Sequence, residues 1–91
     1  MVDSVSLLSE FLGTFLLTLS VFASGGSALW IGGTLAVIVL LIGKQSGAHV
    51  NPAISAAMFM KGALSQTELL GYVASQVAGG VASLYAYRAF A

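Results

Sequence analysis

Cysteine is absent from the 91 residues, which excludes a disulfide framework, thiolate chemistry and cysteine-ligated zinc. Charge is nearly absent too. Asp3, Glu10, Lys44, Lys61, Glu68 and Arg88 make up 7% of the chain and cancel to a net charge of zero, where ordinary soluble domains carry about 25%. With no basic cluster there is no electrostatic footprint for nucleic acid. His49 has no second histidine or cysteine beside it, so no metal site is expected. No nucleophile–base pair or phosphate-binding loop is present, and neither an enzyme nor a bound cofactor is expected. What remains is apolar: 58% of residues are hydrophobic, and the mean hydropathy is +1.01. A small folded domain has a large surface to solvate, and six charges cannot solvate this one. The chain reads as an all-α, multi-pass integral membrane protein, with room for three to four spans.

Residues 5–24 form the first predicted span, about 30 Å long at about 1.5 Å per residue. Asp3 precedes this run, no Lys or Arg does, and Glu10 interrupts it; a retained helix is expected rather than a signal peptide. Ser6, Glu10, Thr14 and Thr18 recur every four residues and stack on one face. Leu8, Phe11, Phe15 and Leu19 are assigned to the lipid side. Ser24-Gly25-Gly26-Ser27 is a turn by composition. The second span covers residues 28–43, with Trp30 near one interface and Lys44 snorkelling at the other.

Residues 45–62 break this pattern. Gln45-Ser46-Gly47 ends a helix, and Asn51-Pro52 reads as an N-cap followed by proline at the first helical position. The apolar stretch that follows reaches only to about Lys61, some 15 Å or half a bilayer core. It lacks the polar face of an interfacial helix, so a re-entrant half-helix is expected. Ser65-Gln66-Thr67-Glu68 matches a capping box and opens the last span, residues 65–90. Small residues line this span in two stripes, Gly71-Ser75-Gly79-Ser83 and Ala74-Ala78-Ala82-Ala86. Such stripes let membrane helices approach closely.

Around Ser46-Gly47-Ala48-His49-Val50-Asn51-Pro52-Ala53 the chain resembles the aquaporin and glycerol-facilitator family, the major intrinsic proteins. Glu10-Phe11-Leu12-Gly13-Thr14-Phe15 is similar to that family's first-helix motif, and Gln76-Val77-Ala78-Gly79-Gly80 to its third helix. The resemblance covers nearly the whole chain but only one of the family's two inverted halves. It implies half of an aquaporin-like fold, completed by an inverted partner. That partner would be a second copy in a homodimer, with eight chains and four pores as the analogous assembly, in the cell (inner) membrane and surrounded by lipid. The implied permeant is water or a small neutral solute such as glycerol or ammonia.

The resemblance also assigns roles. Asn51, Pro52 and Ala53 form the pore motif, with the Asn51 amide aimed into the lumen, and the carbonyls of Gly47, Ala48 and His49 line the path. The filter positions fall on Ile31, Val39, Ala48 and Ile54, with Ile54 standing where the second half of a family member carries arginine. Glu10 and Gln76 are implied as buried bracing groups. An ionisable residue at membrane depth is a functional candidate in its own right, so a proton-coupled, dual-topology carrier that titrates Glu10 remains open at this point. So does a non-conducting or hetero-paired half.

Overall fold

The computed structural model describes residues 2–91, which are helical throughout apart from caps and loops. The elements are α1 (Ser4–Ala23), α2 (Ala28–Ser46), α3 (Pro52–Lys61) and α4 (Gln66–Phe90). Each begins at a side chain that satisfies an otherwise unpaired backbone N–H. The Asp3 carboxylate accepts from the Val5 N–H at 3.0 Å, the Ser27 hydroxyl from Trp30 at 3.3 Å, and the Asn51 amide oxygen from Ala53 at 2.8 Å. At α4 the capping box is complete: Glu68 N–H donates to Ser65 Oγ at 3.1 Å and Ser65 N–H donates to Glu68 Oε1 at 2.9 Å. Three of the helices are long and apolar enough to cross a membrane. At ten residues, α3 is not.

The second helix extends further than the expected 28–43, running through Ser46. Gln45 and Ser46 do not break it. The stop is Gly47 alone, in the left-handed region at φ 85°, with its N–H on the Gly43 carbonyl at 2.9 Å. Glycine takes that conformation without the Cβ penalty.

Helix α1 occupies the middle. It packs on α2 along one side and α4 along the other, and α3 rests on α4; α2 and α4 are joined through the Tyr72 side chain, which reaches the Ser46 carbonyl. The two long contacts run in register. Leu7 lies against Gly71 near the start of α4, and the rings of Phe22 and Tyr87 meet at 5.6 Å near its end, so α1 and α4 are parallel. Having two neighbours widens the buried arc of α1. Its lipid face is therefore Val5, Leu8, Leu12 and Leu16, all well exposed, while Phe11, Phe15 and Leu19 are half-buried rather than facing lipid as expected. The first small-residue stripe of α4 explains the close contact: a Cβ at Gly79 would overlap the Phe11 carbonyl. In the second stripe Ala74 and Ala78 stay exposed.

The interior is the inverse of a soluble domain. Among the described residues the buried polar ones are Ser6, Ser9, Glu10, Thr14, Ser46, Ser55, Gln76 and Ser83, and the buried hydrophobic ones are Ile38, Ala48, Val50, Leu64 and Tyr72. The other leucines and valines lie partly or wholly outside, as a chain bathed in hydrocarbon requires.

Candidate functional site: a carboxylate holding a strained loop

Between α2 and α3 the backbone leaves regular structure for residues 47–51, yet Ala48 and Val50 are buried. Both also have positive φ, 50° and 45°. For a β-branched residue such as Val50 this is a true outlier, and each such residue costs about 1–3 kcal/mol. Strain of that size persists only where neighbours over-determine the geometry.

Glu10 supplies the restraint. It is fully buried, and its two oxygens accept from four donors. Oε1 takes the Val50 N–H at 2.8 Å and Gln76 Nε2 at 2.8 Å. Oε2 takes the His49 N–H at 3.1 Å and the Ser46 hydroxyl at 2.6 Å. All four partners are donors, as an acceptor-only carboxylate requires. Ser46 Oγ in turn accepts the Ala48 N–H at 3.2 Å. Three successive loop amides are thus satisfied by side chains, in a segment that lipid could not satisfy.

A second layer joins α3 and α4 to the loop. Gln76 Nε2 also donates to Ser55 Oγ at 2.9 Å, Ser55 Oγ lies 2.8 Å from His49 Nδ1, and the Tyr72 hydroxyl donates to the Ser46 carbonyl at 2.8 Å. The His49 and Tyr72 rings are 5.0 Å apart. Glu10, His49 and Gln76 are thereby gathered into one cluster. Its other members, Ser46, Ser55 and Tyr72, are missed by the sequence reading. Two signals were there to find them: Ser55 is the sole polar residue of α3 before Lys61, and Tyr72 and Gln76 stand four apart on one face of α4.

The pore-motif residues lie on the opposite, open side. Asn51, Pro52, Ala53 and Ile54 are all exposed, at the N-terminal end of α3. Asn51 spends its oxygen on the cap, which leaves its NH2 group free. The filter positions are not gathered within one chain. Val39 and Ile54 are exposed, Ile31 is half-buried, and Ala48 is buried against Ile38 and Val50.

The chain is thus a bundle of three helices able to span a membrane and one half-length helix, with an internally braced loop leading into Asn51-Pro52-Ala53. Residues 25–90 match the Major intrinsic protein family, and the chain belongs to it. Members of this family are channels, not enzymes. Aquaglyceroporin AqpS of Rhizobium meliloti is 35% identical, over 81% of this chain and 38% of its own length. The lens fiber major intrinsic protein of Gallus gallus is 36% identical, over 85% and 34%. The glycerol uptake facilitator protein-like 6 of Lactiplantibacillus plantarum is 32% identical, over 91% and 42%. The chain thus spans well under half the length of these relatives. No solved structure matches it.

Proposed function

We propose that the chain forms a passive channel for water or small neutral solutes by pairing with a second copy in the opposite orientation, so that two Asn51-Pro52-Ala53 ends meet at midplane. The observation that carries this reading is the contrast across the loop. Its inner side is braced by Glu10, while its outer side, 51–54, is exposed and polar at Asn51. Non-helical backbone and a half-length helix are tolerated at membrane depth only against protein or a water-filled cavity, and a second half supplies both. Four such pairs, eight chains in all, is the analogous assembly.

Two half-helix N-termini each present about +0.5 of a charge. At about 4 Å and an effective dielectric of about 20, each opposes a cation by roughly 2 kcal/mol. This is the familiar account of cation exclusion in aquaporin-type pores, and it applies here without help from a filter arginine. Both mouths of the symmetric pore carry Ile31, Val39 and Ile54 side chains and the Ala48 backbone. Such a ring gives water few hydrogen-bond partners, so moderate water flow, good passage of glycerol or ammonia and no ion current are expected.

Ile54→Arg should cut glycerol flux into proteoliposomes by tenfold or more while sparing water, as read by stopped-flow light scattering. Equal loss of both would remove Ile54 from the filter. Orientation is tested separately. Asp3 and the turn residue Ala63 are exposed and flank the end that carries Lys44 and Lys61; Arg88 lies at the other end. This weak bias predicts insertion both ways round. With no native cysteine, a single cysteine at position 3 or 63 should be labelled by impermeant reagent in roughly half the molecules from each side. Labelling from one side only would rule out the inverted homodimer.

A further inference from the structure

We propose that Ser55, oriented by Gln76, fixes His49 in its Nε2–H tautomer, so that the strained loop presents a neutral hydrogen-bond donor on its open side. The Glu10 carboxylate can only accept hydrogen bonds. The Gln76 atom at 2.8 Å from Oε1 must therefore be its nitrogen, since the reversed amide would set oxygen against oxygen. That choice leaves Gln76 Oε1 buried without a partner, a cost the carboxylate outweighs because hydrogen bonds to charged groups are the stronger ones. The second Gln76 N–H then points at Ser55 Oγ, 2.9 Å away.

Ser55 is fully buried and its hydroxyl has one proton to place. Its oxygen already accepts from Gln76, and the one other side-chain or carbonyl partner in hydrogen-bond range is His49 Nδ1 at 2.8 Å. If Nδ1 carried the proton, the serine hydroxyl would be left without an acceptor in the interior, at about 1–3 kcal/mol. Donation from Ser55 to Nδ1 satisfies both the hydroxyl and that ring nitrogen, and it requires the imidazole proton to sit on Nε2. The direction of each bond follows from the one before: carboxylate, amide, hydroxyl, imidazole.

Among the described residues His49 Nε2 has no hydrogen-bond partner, and it is not one of the enclosed, unpaired polar atoms. It lies beside Gly47, where an added Cβ would come within 3.1 Å of it, and Gly47 is exposed. The Nε2–H group therefore faces the open side of residues 47–49. This part of the inference rests on the channel reading: if the carbonyls of those residues line the path, His49 adds a donor next to them. An acceptor of permeant protons and a donor to permeant lone pairs then stand side by side. That pairing suits hydroxyl compounds, water and ammonia, and Ser55 and Gln76 act as positioning residues behind it.

His49 is the only histidine in these 91 residues, so 15N NMR of the histidine-labelled chain in lipid bilayers reads the tautomer without assignment. The expected spectrum has a protonated Nε2 and an unprotonated Nδ1, with the Nδ1 resonance displaced toward the hydrogen-bonded position. Ser55→Ala should move Nδ1 to the free, non-bonded position, and Ser55→Thr, which keeps the hydroxyl, should restore it. A protonated Nδ1 in the unaltered protein overturns the proposal, as does an Nδ1 resonance that Ser55→Ala leaves in place. If Ser55→Ala does not fold, the tautomer of the unaltered protein still decides the direction of the relay. The measurement needs no flux, so a non-conducting protein with Nε2–H and a bonded Nδ1 would support the relay while refuting the channel reading.

Discussion

Replacing Glu10 with leucine should abolish solute flux and lower the stability of the folded chain by at least about 4 kcal/mol. Four donors lose their acceptor together: the Ser46 hydroxyl, the His49 and Val50 N–H groups and Gln76 Nε2. Each buried orphan costs about 1–3 kcal/mol. The positive φ values of Ala48 and Val50 also lose the restraint that maintains them. Glu10→Gln retains one oxygen but sets its NH2 against a backbone N–H, that of Val50 or of His49, whichever way the amide turns, while Gln76 or Ser46 can reorient to accept, and an intermediate loss follows. Thermal unfolding in detergent and stopped-flow flux should fall in parallel across the series Glu, Gln, Leu. A carrier that titrates Glu10 behaves differently: Glu10→Gln would keep its fold and assembly while losing transport driven by a pH gradient. The engagement of both carboxylate oxygens by the chain itself is the physical reason to expect the first outcome.

The second large effect is expected at a residue with no side chain. Alanine at Gly79 places a methyl group onto the Phe11 carbonyl and close to the Phe15 amide, 3.2 Å away. These are backbone atoms of a helix and cannot rotate aside. The α1–α4 contact must open, withdrawing Gln76 from Glu10, and a loss of about 3 kcal/mol or more is expected, the upper end of overpacking costs. Gly80→Ala is the control one position along. Its methyl group would meet Thr18 Oγ1 at an ordinary 3.5 Å, and the gain in helix propensity of about 1 kcal/mol makes it neutral or stabilising. Opposite signs at adjacent glycines, read by thermal unfolding, would establish that Gly79 sets the spacing of the two parallel spans. Equal effects would contradict it.

Local chemistry made much of the fold readable from the sequence. The caps at Asn51 and Ser65 act within three residues of themselves, and the ten-residue length of α3 is set by Pro52 at one end and Gly62 at the other. Glu10 drew notice because a carboxylate at membrane depth needs an explanation. Its partners were harder to see, since Gln76 is 66 residues away and the loop amides are 39 and 40 away. Backbone N–H groups leave no mark on a sequence, and neither does a positive φ at alanine or valine. The continuation of α2 through Ser46 was hidden for a related reason. Gln45 is a good helix former and Ser46 a middling one, and tertiary bonds hold the last turn: the Ser6 hydroxyl on the Gln45 carbonyl at 2.6 Å and Tyr72 on the Ser46 carbonyl. The lipid face of α1 was misplaced because a helix between two neighbours buries more than the one polar stripe its periodicity displays.

The central claim, that this one chain builds a complete pore from two inverted copies, is tested most directly by reconstitution. The purified chain alone should be placed in liposomes and challenged with a glycerol gradient, with light scattering followed in time. The account predicts re-swelling well above that of protein-free liposomes, lost in Asn51→Ala at unchanged assembly. Re-swelling at the protein-free rate, or a flux that Asn51→Ala leaves untouched, would contradict it.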